Sequence, residues 1–329
     1  MTDQPLGSAA SPRSPAAWVR SAPPVLWLCA ALAVAMLALQ PPANYAAAAE
    51  QVLLATTLLA FLAIGQLFVV VTGGIDLSMP AVVSLASLVA ATLSKQLELG
   101  VAAGAVVCLL AGVGAGALVG LCHGLVITLL RAPPFLVTLA SLISVEGIAV
   151  WLTGGGRLAA EEEAIAIWYA RLGPLPVPLL YLAALLVISQ VTLGRSYWGR
   201  CLYAVGQNAA TARVCGVPIR RTTACAYVVS GALAGFAGVL YGARLYSGSP
   251  SLVELDTLLD AIAAVVIGGA SLLGGRGSAS GVALGALFIA LLGQSLNVLG
   301  LRIWHELVVK GLLILAAAML DTWAIRRRR

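Results

Sequence analysis

The sequence predicts an all-α, polytopic membrane protein of about ten transmembrane helices, and three observations carry that assignment. Hydrophobic residues make up 61% of the 329-residue chain and charged residues only 10%, where soluble domains carry about 25% charged residues. The mean hydropathy is +1.01. The apolar residues fall into runs long enough to cross a hydrocarbon core, separated by short polar or glycine-rich breaks. A soluble chain of this length would suggest two domains, but this composition leaves almost no room for one.

Taken in order, residues 1–22 are rich in Ser, Pro and Ala and read as a disordered cytoplasmic tail. Residues 23–325 form the transmembrane domain, and 326–329 form a basic tail that anchors at the membrane surface. The first run, Val25–Leu39, resembles a signal-peptide core, but the long basic tail before it favours an uncleaved first span. The second span covers Gln51–Thr72 and ends in the break GGIDLSMP at Gly73–Pro80. Spans three to six follow at Ala81–Leu93, Val101–Leu121, Phe135–Leu152 and Val177–Leu193, with His123 and Arg131 placed in the loop after span four. Spans seven to ten are Thr222–Tyr246, Leu258–Leu273, Gly281–Leu299 and Glu306–Leu320. Gly268 and Gly269 interrupt span eight, as Gly73 and Gly74 end span two, which hints at two related halves.

Between spans six and seven lies the most polar stretch, Gly194–Arg221. It carries Arg195, Arg200, Arg213, Arg220 and Arg221 and no acid. Each Arg at a bilayer centre costs roughly 2.5–3.5 kcal/mol, so this stretch stays in water or at headgroups. Inside it, Asn208 suits an N-cap, Gly216 suits the C′ position and Pro218 blocks continuation, which predicts a short helix from Ala209 to Cys215. Ala212 sits mid-helix, where a small side chain lets the helix seat in a groove. Such a helix in the longest basic loop reads as a docking element; the alternative is an Arg-rich loop that only fixes topology. With both termini inside, the inner side collects Arg13, Arg20, Arg131, the five loop arginines, Arg276 and Arg326 to Arg329. The outer side keeps Lys95, Arg157, Arg171, Arg244, Arg302 and Lys310, so the positive-inside bias puts 194–221 in the cytoplasm.

Small residues recur every four positions from Gly104 to Gly124, and Gly231, Gly235, Gly238 and Gly242 share one face of span seven. Close helix packing is the expected use of such stripes. Three acids fall in or at the ends of apolar runs. Asp76 and Asp260 sit at expected helix starts, where capping or a place on a solute pathway both explain them, and Glu146 has no basic partner in its own run. Lys310 and Arg244 lie near span ends and snorkel. The only lysines are Lys95 and Lys310, neither in a phosphate-binding GK[ST] context, and no HExxH or GxSxG is present. The six cysteines form no CxxC pair. Neither catalysis, ATP hydrolysis, a metal nor a cofactor is therefore expected of this chain.

The motifs in order resemble the permease subunits of bacterial sugar ABC importers of the ribose, xylose and galactose type, in a larger group with branched-chain amino-acid permeases. The resemblance rests on TGGIDLS at Thr72–Ser78, PPFLVTLASL at Pro133–Leu142, TGGG at Thr153–Gly156, GRCLYAVGQNAATARVCGV at Gly199–Val217 and the long match at Leu259–Leu287. It departs from the family pattern at Met79, Pro80, Glu146, Ala210, Cys215 and Leu258. The resemblance implies an inner-membrane permease that moves a sugar or similar polar solute, with an ion-coupled secondary transporter as the alternative. It implies an ATP-binding subunit, an extracytoplasmic solute-binding protein and a second permease copy as partners. It makes Asn208, Ala212, Arg213 and Gly216 the ATPase-coupling residues, and leaves Gly73, Gly74, Asp76, Asp260, Gly268 and Gly269 as candidate pathway or helix-break positions.

Overall fold

The structure, a computed structural model, describes residues 24–96 and 100–326. The tail at 1–22 and all of the basic end except the backbone of Arg326 lie outside the described residues. The protein is an all-α polytopic membrane protein. A helix stands at each apolar run: α1 (Pro24–Ala38), α2 (Tyr45–Val71), α3 (Met79–Gln96), α4 (Val101–Leu129) and α5 (Pro134–Thr153) in the first half. After the short α6 (Glu162–Ala166) come α7 (Val177–Arg195), α8 (Tyr197–Gln207), α9 (Ala209–Val214) and α10 (Ile219–Leu245). The chain closes with α11 (Leu255–Ile267), α12 (Ala279–Val298) and α13 (Ile303–Arg326). Six helical stretches among the described residues are long and apolar enough to cross a membrane: residues 42–71 and 101–129, then α5, α7, α10 and α12. Two-residue strands at Leu158–Ala159 and Ser247–Gly248 pair antiparallel and tie the loop after α5 to the end of α10.

Several boundaries differ from the sequence reading, α2 beginning at Tyr45 and α13 running to Arg326 among them, and two have a clear local reason. Helix α4 runs on to Leu129 because nothing breaks it before Pro133, so His123 is a buried helix residue and not a loop residue. Helix α11 stops at Ile267, six residues short of the expected end at Leu273. There Gly269 turns left-handed at φ +84, and the Gly269 and Ala270 amides fold back on the Val266 and Val265 carbonyls, a glycine C-cap. Pro80, a departure from the family pattern, occupies the first turn of α3, where its missing N–H costs nothing.

Helix α2 is the axis: every residue from Thr56 to Val71 is buried. Around it pack α10, α12, α11 and α7, while α4 lies on the far side of α10 and α3 fills the angle between α4 and α10. The α4–α10 contact is a seam of bare backbone. A methyl on Gly116 would enter the Gly231 carbonyl, one on Gly120 the Tyr227 carbonyl, and one on Gly124 would stop 2.7 Å from the Ala224 Cα. Gly238 turns instead to Val83 of α3. The small-residue stripes are thus a packing surface between helices. By contrast α5 buries only Thr138, Val145 and Ala149, and α7 only four residues.

Candidate functional site

The polar stretch between α7 and α10 holds two helices where the sequence reading gave one. Ser196 accepts from the Gly199 amide at 2.8 Å and caps α8, which buries Gly199, Cys201, Leu202 and Val205 on one face. The signal was present, a Ser N-cap followed by an i, i+3, i+4 stripe, but Arg195 and Arg200 drew the stretch into a loop reading. Asn208 then caps α9, its Oδ1 accepting from the Ala210 and Thr211 amides at 3.0 Å each. Gly216 follows at φ +79, with its own amide on the Arg213 carbonyl and the Val217 amide on the Ala212 carbonyl. That paired closure is a Schellman C-cap. One expectation is corrected: Ala212 is buried against this chain, so its small size serves internal packing. The residue offered outward is Val214, 89% exposed, with Arg213 beside it.

This loop is joined through main chain to the Gly73 break and to residues 274–277, which follow the second break. Gly206, at the end of α8, lies so close to the Val71 carbonyl that a Cβ would overlap it, and such a Cβ would stand 2.5 Å from the Gly275 amide. That amide donates to the same Val71 carbonyl at 2.9 Å. Gly274 (φ +89) would place a Cβ 3.0 Å from both the Gly206 carbonyl and the Gly73 amide. The Tyr203 hydroxyl donates to the Gly277 carbonyl at 2.7 Å, and burial pushes this phenol up, so it stays protonated. The end of α2, the loop 274–277 and the helix leading into α9 therefore form one glycine junction. Of the predicted break residues, Gly73 belongs to it, with φ +85. Gly74 packs against the Tyr227 hydroxyl, and Gly268 faces Gly281 backbone.

Asp76 is neither a plain cap nor open to a solute here. It is buried, with Oδ1 accepting from the Ser78 amide and hydroxyl at 3.0 and 2.6 Å. Its Oδ2 accepts from the Ser230 hydroxyl of α10 at 2.7 Å. Turned to satisfy both contacts, the Gln66 amide group meets the Asp76 carbonyl and N–H at 3.1 and 3.3 Å. Asp76 thereby ties the extended segment after Gly74 to α2 through its main chain, and to the start of α3 and to α10 through its carboxylate.

Asp260 lies in the second turn of α11 and does not cap it. It meets Lys310 of α13 at 2.7 Å, and Lys310 also meets Glu306 at 2.8 Å. Lys310 therefore does not snorkel. The three groups border a polar cavity of about 280 Å³ that also receives Gln51, Thr257, Arg244, Gln294 and Asn297. Lys310→Met is expected to strand both acids and to cost about 3 kcal/mol or more, seen as a lower midpoint of heat aggregation in detergent. Lys310→Met with Asp260→Leu should recover part of that loss; a Lys310→Met midpoint equal to wild type would rule the pairing out.

The family described as branched-chain amino acid transport system / permease component matches residues 48–318, which takes in the junction, the loop and both breaks. The chain belongs to this permease family. A probable ABC transporter permease of Sinorhizobium fredii is 37% identical over 275 residues, covering 82% of this chain and 80% of that one. The ribose import permease of Bacillus subtilis is 35% identical over 264 residues, covering 79% and 80%. The L-arabinose transport system permease of Escherichia coli K12 is 34% identical over 280 residues, covering 84% and 83%. No solved structure matches the chain.

Beside Met79 and Pro80 at the start of α3, the permease's departures from the family pattern fall in three settings. Leu258 is buried in α11, where it fills apolar space. Ala210 and Cys215 are exposed on and just after α9. Glu146 is exposed on α5, beside Ile143, Ile148 and Trp151.

Proposed function

We propose that this chain is the membrane-spanning subunit of an ABC importer that passes a pentose, hexose or similar polar solute inward across the cytoplasmic membrane. The permeases it resembles are named for ribose and L-arabinose import. The observation that carries the mechanism is the glycine junction. A partner that grips α9 pulls directly on the end of α2 and on the 274–277 loop, because no side chain stands between them to absorb the movement. The ATP is hydrolysed on a separate ATP-binding subunit, and the solute is delivered by an extracytoplasmic binding protein. Residues 23–325 form the permease domain, with ten spans broken at Gly73-Gly74 and Gly268-Gly269 and residues 194–221 as the coupling loop. Both termini and this loop face the cytoplasm, which the distribution of arginine supports.

Asn208, Arg213 and Gly216 shape and present the coupling helix, Ala212 holds it to the permease, and Val214 enters the partner's groove. Gly73 and Gly74 with Asp76, and Gly268 and Gly269 near Asp260, are the places where the spans change direction as access alternates. Glu146 supports a second permease copy. A carboxylate held against lipid at mid-span costs roughly 2.5–3.5 kcal/mol, so this face of α5 is turned to the other copy and the wet path between them.

Right-side-out vesicles with ATP trapped inside test the reading. Val214→Glu and Gly216→Val are expected to cut ATP-dependent uptake at least tenfold and to prevent co-purification with the ATP-binding subunit, at normal membrane levels. Full uptake by Val214→Glu would reduce the loop to a topogenic tether. Uptake that persists without the ATP-binding subunit would instead identify an ion-coupled secondary transporter.

A further inference from the structure

We propose that the permease carries a binding site for the headgroup of an anionic phospholipid, at the end of the α4–α10 seam nearest the coupling loop. A cavity of about 640 Å³ opens there, between the end of α4 and the start of α10, and four guanidinium groups line it: Arg131, Arg213, Arg220 and Arg221. No carboxylate lines this cavity, and none of the four makes an ion pair among the described residues. Four unpaired like charges around one hollow repel each other, so the arrangement is stabilised by an anion placed among them.

The backbone carries a second mark. Arg131 is one of two non-glycine residues with positive φ among the described residues, at +55. A side chain with a Cβ adopts this left-handed conformation at a cost of about 1–2 kcal/mol. The turn between Leu129 and Pro133 thus holds an arginine where glycine would sit without strain, and that arginine lines the cavity.

The walls distinguish a lipid from a protein partner. Ile127 and Ile219, apolar residues at the ends of two membrane helices, line the same cavity as the arginines. Leu129 and Leu130 stand next to it at 57% and 74% exposed, a surface that acyl chains would cover. Guanidinium and aliphatic side chains around one hollow match a phosphodiester with its chains, since the planar fork pairs two phosphate oxygens at once. An acidic protein groove would meet the charges but leave the leucines bare. Arg213 also lies on α9, so a headgroup held there ties the coupling helix to the inner leaflet. The assignment rests on the inward orientation of this loop in the function proposed above.

The test uses the intact transporter, permease with its ATP-binding subunit, in nanodiscs of phosphatidylcholine with added phosphatidylglycerol or cardiolipin. Lipid retained after detergent extraction is identified by mass spectrometry. Wild type should retain the anionic lipids over phosphatidylcholine, and Arg220→Gln with Arg221→Gln should weaken that retention roughly thirtyfold, at about fivefold per positive charge. Arg220→Lys with Arg221→Lys keeps the topogenic charge and should restore the part that charge alone carries, short of wild type because lysine lacks the fork. Equal retention by the Gln variant and wild type overturns the proposal. So does displacement of the lipid by inorganic phosphate alone, which marks a free-phosphate site. Loss of the ATP-binding subunit with lipid retention unchanged marks a protein contact and equally overturns it. ATP-driven uptake by the Gln variant in phosphatidylcholine is read alongside: normal uptake leaves the importer function standing whichever way the lipid result falls.

Discussion

Alanine in place of Gly206 is expected to abolish ATP-driven uptake, lowering the transport rate at least tenfold. The added methyl would occupy the space of the Val71 carbonyl and press on the Gly275 amide, and both are main-chain atoms that cannot rotate away. Overpacking of this kind costs typically 1–3 kcal/mol even where neighbours are side chains that can move. Here relief also requires breaking the 2.9 Å bond from Gly275 to Val71, worth about 1 kcal/mol more. The permease must either part the end of α8 from the end of α2 or fail to close the junction. In both cases α9 loses its grip on the spans. Gly194→Ala is the control, because a Cβ there meets nothing within 4 Å in the same polar stretch. Uptake, membrane level and solute-stimulated ATPase activity should be measured together. Wild-type uptake by Gly206→Ala would show that the junction transmits nothing.

A larger loss of stability is expected from Gly116→Val. Gly116 and Gly231 meet carbonyl to Cα across the seam, so a side chain on either forces α4 and α10 apart along several turns. Without water to drive apolar faces together, helix association in a bilayer depends on such close approach. The expected result is loss of the monodisperse peak in size-exclusion chromatography and a heat-aggregation midpoint far below wild type. Gly114→Val, two residues away on the same helix, faces open space and should behave as wild type. Equal behaviour of the two variants would place the seam elsewhere.

Much of this was legible in the sequence because the signals are local. Asn208 and Gly216 bracket α9 by cap chemistry that any short helix must obey. The apolar runs placed a helix at each expected span, but missed the end at Leu129, where no breaker stood, and ran through the glycine pair that ends α11 at Ile267. What the sequence withholds is azimuth, the direction a side chain takes around its helix. Asp260 and Lys310 are fifty positions apart, and only the packing of α11 against α13 makes them a pair. The same missing information turned Ala212 outward when it packs inward. Each Gly-Gly break was visible alone, but that Gly73, Gly206 and Gly274 meet depends on long-range packing no local pattern encodes.

The α4–α10 seam also sets a schedule for synthesis. Gly116 leaves the ribosome 115 residues before Gly231. At about 5–20 residues per second, α4 waits in the bilayer for roughly 6–23 s before its partner arrives. During that interval a strip of bare peptide backbone faces lipid or whatever helix the insertion machinery supplies. Helix α5 and α7, the intervening apolar helices, bury little in the finished fold and are poorly made to shield it. A nascent chain halted between residues 130 and 218 should therefore be the form most readily captured by membrane-embedded chaperones or degraded.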